Sequence, residues 1–327
     1  MSRAANVVIH HSMAPLERSL AQDLVALLEH KGAPWIDDIR RRIRGELPGA
    51  EDHYFVAATG QRLVAHAWYT VSATDSQLGL LGHVYTRPEL RRRGLSRRLL
   101  EAAMGEFLQR GGQIMQLFTS TPFSVGFYEQ LGFENLFTQK VYHDQDWYMR
   151  YPQRAADQLD AWSSGTPQHC RQLTPADLPR YSLLYNLRRD VILKDRAQQI
   201  GFGLEAELAF IDMLEAVRQE RATCWVLENE RLILGAAALV STQFPHQSHI
   251  GLFDLYSCSP DSSLIGPLAE RCLQQRADLG IEKIYAISVD EAKQCQLQQL
   301  GFAVRGTLPN HYRVGRDHYD CALLELS

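Results

Sequence analysis

The sequence is poor in lysine, which occurs only at positions 31, 140, 194, 283 and 293, while arginine supplies the remaining basic residues. Lys+Arg 34 against Asp+Glu 38 gives a formal net charge of −4. The chain therefore lacks the basic footprint that nucleic-acid binding requires. No apolar run approaches the roughly 18–20 residues that cross a bilayer. The opening stretch MSRAANVVIHHSMAPLERS has neither the basic-then-apolar pattern of a secretory signal nor an acid-free Arg/Ser helix. A cytoplasmic protein without membrane contact is the expectation. The six cysteines (170, 224, 258, 272, 295 and 321) form no CxxC pair. That excludes a zinc knuckle or redox motif and fits buried thiols in a reducing compartment. Neither His10-His11 nor the Asp144–Asp146 stretch has metal-ligand spacing, so no metal is expected.

What is present is an ordinary globular chain of 327 residues, 45% hydrophobic and 22% charged. Domains run about 100–200 residues, so the length suits two. An internal repeat divides it. Arg62-Leu63-Val64-Ala65 returns as Arg231-Leu232-Ile233-Leu234, Gly111 as Gly280, and Leu131-Gly132-Phe133 as Leu300-Gly301-Phe302, each 169 residues on. Between these anchors Val84-Tyr85-Thr86 matches Leu255-Tyr256-Ser257 at 171, and Pro88 matches Pro260 at 172. An ordered set of matches with one small drift is the mark of a tandem duplication. The expected division is an N-terminal domain 1–151, a linker 152–167 (PQRAADQLDAWSSGTP) and a C-terminal domain 168–327.

Within the first copy, residues 5–10 are strand-like, and Pro15 opens a helix carrying Leu16, Leu20, Leu24, Leu27 and Leu28 on one side. A second helix is expected from Pro34 towards Leu47, then a hairpin of 53–59 and 62–72 turning at Gly60-Gln61, and a strand 78–86. Gly94 begins a helix with Leu95, Leu99, Ala103 and Phe107 at helical spacing. A strand at 113–119, a helix at 122–131 and strands to about 150 close the domain. The second copy repeats the order and ends in a strand at 318–326. The pattern is α+β, with a mixed and mostly antiparallel sheet flanked by helices in each copy.

The chemistry-bearing motif lies where strand 78–86 runs through Arg87-Pro88-Glu89-Leu90 into Arg91-Arg92-Arg93-Gly94-Leu95-Ser96 and a helix. The first N–H groups of a helix have no internal acceptors and the dipole there favours anions. Gly94 lets the backbone approach a diphosphate, the N–H groups of 92–97 can wrap it, and the arginines add counter-charge. Taken alone, the pattern fits a solvated basic helix start equally well.

This stretch resembles motif A of the GNAT acyltransferase superfamily, Arg/Gln-x-x-Gly-x-Gly/Ala, as Arg91-x-x-Gly94-x-Ser96, with Ser at the last position. Gly126-Phe127-Tyr128-Glu129-Gln130-Leu131-Gly132-Phe133 is similar to the family's second signature, Tyr-x-x-Leu-Gly-Phe. The resemblance covers residues 5–150 and, more weakly, 168–326. It implies that strands 78–86 and 113–119 splay apart after a bulge, with acyl-CoA as donor substrate in the split. It also implies that main-chain groups around Val84, Tyr85 and Thr86 hold the pantetheine arm, and that Arg91, Arg92, Arg93, Gly94, Leu95, Ser96 and Arg97 hold the pyrophosphate. Thr121 falls where the family often has an asparagine touching the pantetheine. Tyr128 takes the role of general acid for the leaving thiolate, the alternative being a core tyrosine. Of the strand residues facing the split, His83 is the candidate base, with His66 behind it. Strand alternation can also turn the His83 ring away, leaving a water chain to take the proton.

In the second copy Arg91–Ser96 aligns with Ser263-Leu264-Ile265-Gly266-Pro267-Leu268, and Tyr128 falls on Leu297. Every arginine is gone and Pro267 removes an N–H. A degenerate C-terminal domain that does not bind CoA in the usual way is expected. The run Arg40-Arg41-Arg42-Ile43-Arg44 suggests a solvated basic face. Trp35 lines a pocket or caps the core. The resemblance implies an acyl-CoA-dependent N-acyltransferase, most simply an N-acetyltransferase, acting on a small-molecule or peptide amine. The alternatives are a non-catalytic acyl-CoA sensor or scaffold, hydroxyl acylation, and decarboxylation of the acyl unit.

Overall fold

A computed structural model describes residues 7–139, 146–152, 155–184, 206–257, 265–314 and 316–326. The chain divides into two compact units. The first holds the residues up to Gln139, Gln145–Ala155 and the short stretch Pro175–Pro179, and the second holds the rest.

The first unit opens with β1 (Val7–Met13), α1 (Arg18–Leu28) and α2 (Trp35–Ile43). Strands β2 (Ala50–Thr59), β3 (Arg62–Ser72) and β4 (Asp75–Thr86) follow as a meander, then α3 (Leu95–Gln109), β5 (Ile114–Thr119), α4 (Pro122–Glu129), β6 (Glu134–Gln139) and β7 (Asp146–Tyr151). The strands lie in the order β1-β2-β3-β4-β5-β7-β6. Only β4 and β5 are parallel, and the other neighbours are antiparallel.

Strand β3 is buried from Leu63 to Ser72 because helices cover both faces of the sheet. On one face α3 presents Leu95, Leu99, Leu100, Ala103 and Phe107 to Phe55, Ala65, Ala67, Tyr69 and Met115. The apolar spacing of α3 sets which side it buries, and each fully buried leucine contributes about 1.5–3 kcal/mol. Leu24, Leu27 and Leu28 of α1 and Ile36, Ile39 and Ile43 of α2 are likewise buried.

The second unit begins with α5 (Ala156–Ser163) and β8 (His169–Gln172), then α6 (Leu178–Leu184), α7 (Ala206–Arg218), β9 (Ala222–Glu228), β10 (Ile233–Ser241) and β11 (Ile250–Ser257). It ends with α8 (Ile265–Gln274), β12 (Lys283–Ser288), α9 (Glu291–Gln299), β13 (Ala303–Val314) and β14 (Asp317–Leu326). Its strand order, β8-β9-β10-β11-β12-β14-β13, repeats that of the first sheet, again with one parallel pair, β11 and β12. Leu268 and Cys272 of α8 are buried as Leu99 and Ala103 are 169 residues earlier, so α8 follows that offset, and the alignment of Leu268 with Ser96 is three residues out of register. The duplication inferred from the sequence is thus a duplication of architecture.

The segment expected to be a linker contains a helix instead. In α5, Leu159 is buried, and the Asn229 side-chain amide donates to the Trp162 carbonyl at 2.8 Å. The Ser-Ser-Gly-Thr stretch is the end of this helix and the turn after it. Among the described residues no helix is long and apolar enough to cross a membrane. Cysteines 170, 224, 272, 295 and 321 form no disulfide among the described residues; Cys258, Pro260, Ser263, Leu264 and Asp144 lie outside the described residues.

Candidate functional site

The parallel pairing of β4 with β5 runs from Leu78–Ile114 to Leu81–Leu117 and stops. Strand β4 continues to Thr86, and β5 continues against β7 instead, pairing Phe118 with Tyr148 and Thr119 with Trp147. The cause is a bulge. On β3 the register moves from Trp68 opposite Gly82 to His66 opposite Tyr85, so β4 carries one extra residue there. His83, with φ +53°, absorbs it in the left-handed region. From Gly82 to Thr86 the strand pairs with β3 on one side only. An extended ligand carrying amide groups can add to the other side as a further strand does.

At the mouth of this split β4 turns through a short 3-10 helix (Pro88–Leu90) into α3. Arg92 and Gly94 both take left-handed conformations, φ +61° and +74°. Gly94 is the N-cap of α3, and a Cβ placed on it would meet no atom within 4 Å, so the space above the turn is open. The first helical bond runs from Arg98 N–H to the Gly94 carbonyl at 3.1 Å, which puts the N–H groups of Leu95, Ser96 and Arg97 ahead of the helical ladder.

The arginines divide into two kinds. Arg91 Nε donates to the Thr86 carbonyl at 3.1 Å, and Arg97 donates to Gln130 Oε1 at 2.7 Å with its guanidinium over the Phe127 ring. These two tie the loop to β4 and α4. Arg92 and Arg93 are exposed and, among the described residues, have no hydrogen-bond or ion-pair partner. The Ser96 hydroxyl lies 2.9 Å from Thr86 Oγ1. It fastens the first turn of α3 to the end of β4. Leu95 is buried beneath that turn.

Tyr128 lies on α4, buried against Phe127 and Phe133 with ring centroids 5.4 and 5.8 Å away. Burial pushes its hydroxyl pKa up to about 12, so the phenol is protonated throughout the physiological range. Thr121 is the N-cap residue of α4 and makes no side-chain cap; its N–H donates to Thr119 Oγ1.

The bulge places the His83 ring among aromatics, stacked on Trp68 at 4.9 Å and edge-on to Trp35 at 5.8 Å. Burial, with Lys31 and His66 nearby, holds its pKa well below the usual histidine value. His66 is buried too and donates from Nδ1 to the His83 carbonyl at 3.0 Å, a bond that supports the bulge. The Tyr85 ring packs on His30 at 4.4 Å, and Val84 is half-buried.

The sequence missed the buried network behind this wall. Arg42 is 1% exposed, with Nε donating to Asp38 at 2.5 Å and Nη1 to Asp52 at 3.1 Å, and Trp68 Nε1 donates to the same Asp52 oxygen at 2.9 Å. The arginine run of α2 is therefore not uniformly a solvated face. The Asp38–Arg42 spacing of four residues was the available signal.

The second unit has a split of the same kind. Strand β11 parts from β12 after Leu252–Tyr285. Gly266 and Pro267 lie in the first turn of α8, and Leu297 is a fully buried core residue at the Tyr128 position. Lys293 from α9 reaches Asp254 on the parted stretch of β11 at 2.6 Å.

Residues 20–133 match the family model for the acetyltransferase (GNAT) family. No curated protein matches the chain. Similar solved structures include the ribosomal-protein-alanine N-acetyltransferase of Brucella melitensis, 19% identical over 49% of this chain and 99% of that one, with a TM-score of 0.42. A putative acetyltransferase from Salmonella typhimurium, solved with its cofactor acetyl-CoA, is 18% identical over 48% of this chain and 92% of that one, TM-score 0.41. An N-acetyltransferase from Staphylococcus aureus Mu50 is 20% identical over 48% and 96%, TM-score 0.40. The match to the acetyltransferase (GNAT) family thus falls on residues 20–133, within the first unit.

Proposed function

We propose that the first unit transfers an acyl group, in the simplest case acetyl, from acyl-CoA to an amine on a small molecule or peptide. One observation carries the reading: the strand split at β4 opens directly onto the left-handed Gly94 turn with two unpartnered arginines beside it. The donor substrate supplies a thioester. In this reading the main chain around Val84, Tyr85 and Thr86 pairs with the amide-bearing arm. The N–H groups of residues 92–97, with Arg92 and Arg93, take the pyrophosphate charge. Arg91, Ser96 and Arg97 position the turn rather than meet the ligand first, since their side chains are already engaged. In this reading Thr121, at the start of α4, is the position that meets the pantetheine from that helix.

Tyr128 protonates the departing thiolate, for which a phenol held neutral is suited. His83 is neutral at the bulge and accepts a proton only weakly, so amine deprotonation runs through water with His83 as a secondary acceptor. Holding amine and thioester together supplies the larger share of the acceleration. The second unit is a degenerate copy that does not take the donor.

Calorimetric titration with acetyl-CoA tests this. The expected result is one site per chain, lost in an Arg93→Glu, Gly94→Glu double variant, with turnover on an amine panel. Two sites would overturn the assignment of the second unit. Failure to bind any acyl-CoA would overturn the donor.

A further inference from the structure

At the opposite end of α3 from the glycine turn, the sheet register assembles three side chains that the acyl-transfer reading does not use. From Gly94 to Glu106 the helix rises about 18 Å, which separates the two places. His11 on β1 and His53 on β2 approach each other, with His11 Nε2 3.1 Å from His53 Nδ1. Glu106, in the last turn of α3, reaches them from above, its Oε1 3.9 Å from His11 Nδ1. One ligand-capable atom from each of the three lies within 4.8 Å of the others. We propose that His11, His53 and Glu106 bind a divalent first-row transition-metal ion, zinc being the fitting case, which clips the edge strand β1 to the C-terminal end of α3.

Three observations support the assignment. Two imidazole nitrogens each about 2.0–2.1 Å from a tetrahedral zinc stand about 3.3 Å apart, close to the separation found here. The rings are held at that spacing by stacking, His11 on Phe55 at 4.5 Å and His53 on Tyr69 at 4.4 Å. Next, His53 is fully buried, yet its Nε2 has no hydrogen-bond partner. With Nδ1 given to a metal, the ring proton sits on Nε2, which faces Glu51 Oε2 at 3.8 Å. At that distance the two are not hydrogen-bonded, and a closing of about 1 Å would set the carboxylate on the ring proton, as outer carboxylates do for metal-bound histidines. Finally, Arg110 Nε donates to Glu106 Oε1 at 2.7 Å, which pins the carboxylate beside the two histidines. Glu106 and His11 are each 27% exposed, so an ion can enter and a water can complete the shell.

Among the described residues β1 is an edge strand paired only with β2, and much of it is exposed. A metal joining it to α3 would tie this exposed sheet edge to the helix that covers the sheet. The spacing of His10-His11 offered no ligand pattern because the second histidine arrives through antiparallel register, 42 residues on.

The test is calorimetry of zinc into the chelator-treated, untagged full chain, with thermal melting alongside. The expected result is one zinc per chain, a raised melting temperature, and at least a tenfold loss of affinity in Glu106→Gln and in His11→Asn. Glu106 sits on a helix surface, so that variant folds even where a change at buried His53 does not. Acetyl-CoA affinity stays unchanged in both variants, which separates this site from the donor site. Absence of zinc binding overturns the proposal, as does affinity unaltered by both substitutions.

Discussion

Lys293 Nζ stands 2.6 Å from Asp254 Oδ1, and both side chains are 1% exposed. The pair occupies the stretch where β11 has parted from β12, which in the first sheet is the open side of β4. A charge pair that is fully desolvated is held by its partner, and losing one member leaves the other uncompensated. Lys293→Met is expected to cost about 3–5 kcal/mol of stability. Lys293→Met combined with Asp254→Leu should recover most of that. Urea unfolding of the three proteins measures it. A full recovery would mean that the pair adds no stability beyond what an apolar pair of similar size supplies.

Tyr128 gives a prediction with a pH dimension. Substituting phenylalanine keeps the packing against Phe127 and Phe133 and removes only the proton donor, so kcat should fall by about 10²–10⁴ with little change in stability. Because burial raises the phenol to about 12, its acid form persists well above the ordinary tyrosine value of 10.0. The rate should therefore show no alkaline loss from this group until well past pH 10. Steady-state rates from pH 7 to pH 11 test both statements, and a drop near pH 10 would remove Tyr128 as the acid.

What the sequence made legible here was local. Arg91-Arg92-Arg93-Gly94-Leu95 could be placed on a strand-to-helix turn because the glycine, the charges and the helical spacing of Leu95, Leu99 and Ala103 are all neighbours in the chain. The repeat at 169 likewise foretold a second sheet of the same order. Features set by register were not legible. Alternation along 78–86 could not reveal that one extra residue at the bulge turns His83 onto Trp68. Nor could the charge run of α2 reveal that Arg42 enters the core, since Asp52 and Trp68 reach it from other strands. The engagement of Ser96 by Thr86 depends on the same tertiary closeness.

His66 predicts an acid sensitivity. Burial holds its folded pKa at about 4 against 6.5 when unfolded, although its bond to the His83 carbonyl acts the other way. Between those values the unfolded chain binds a proton that the folded chain does not, so stability falls as pH drops from 6.5 towards 4. Each such group contributes up to about 1.4 kcal/mol per pH unit. His66→Gln should be less stable at pH 7 and show a shallower fall, by about one proton's worth of slope. Denaturant midpoints at pH 4.5, 5.5, 6.5 and 7.5 measure it, and an unchanged slope would show that His66 is not the titrating group.

Two glycines separate binding from folding. Gly94 adopts φ +74° with open space where a Cβ would stand, so Gly94→Ala meets no clash and costs only the left-handed backbone, about 1–2 kcal/mol. The same methyl would project where a diphosphate approaches the N–H groups, and acetyl-CoA affinity should fall at least tenfold. Gly112 is the opposite case. A Cβ there would lie 2.4 Å from the Phe107 ring, which is 2% exposed and packed in the core under α3. Gly112→Ala should cost about 1–3 kcal/mol through overpacking and leave acetyl-CoA affinity of the folded protein unchanged. Parallel melting and calorimetry on both variants expose the contrast. If Gly94→Ala retained full affinity while losing stability, the turn would be a fold element alone, and the pyrophosphate would have to be held elsewhere.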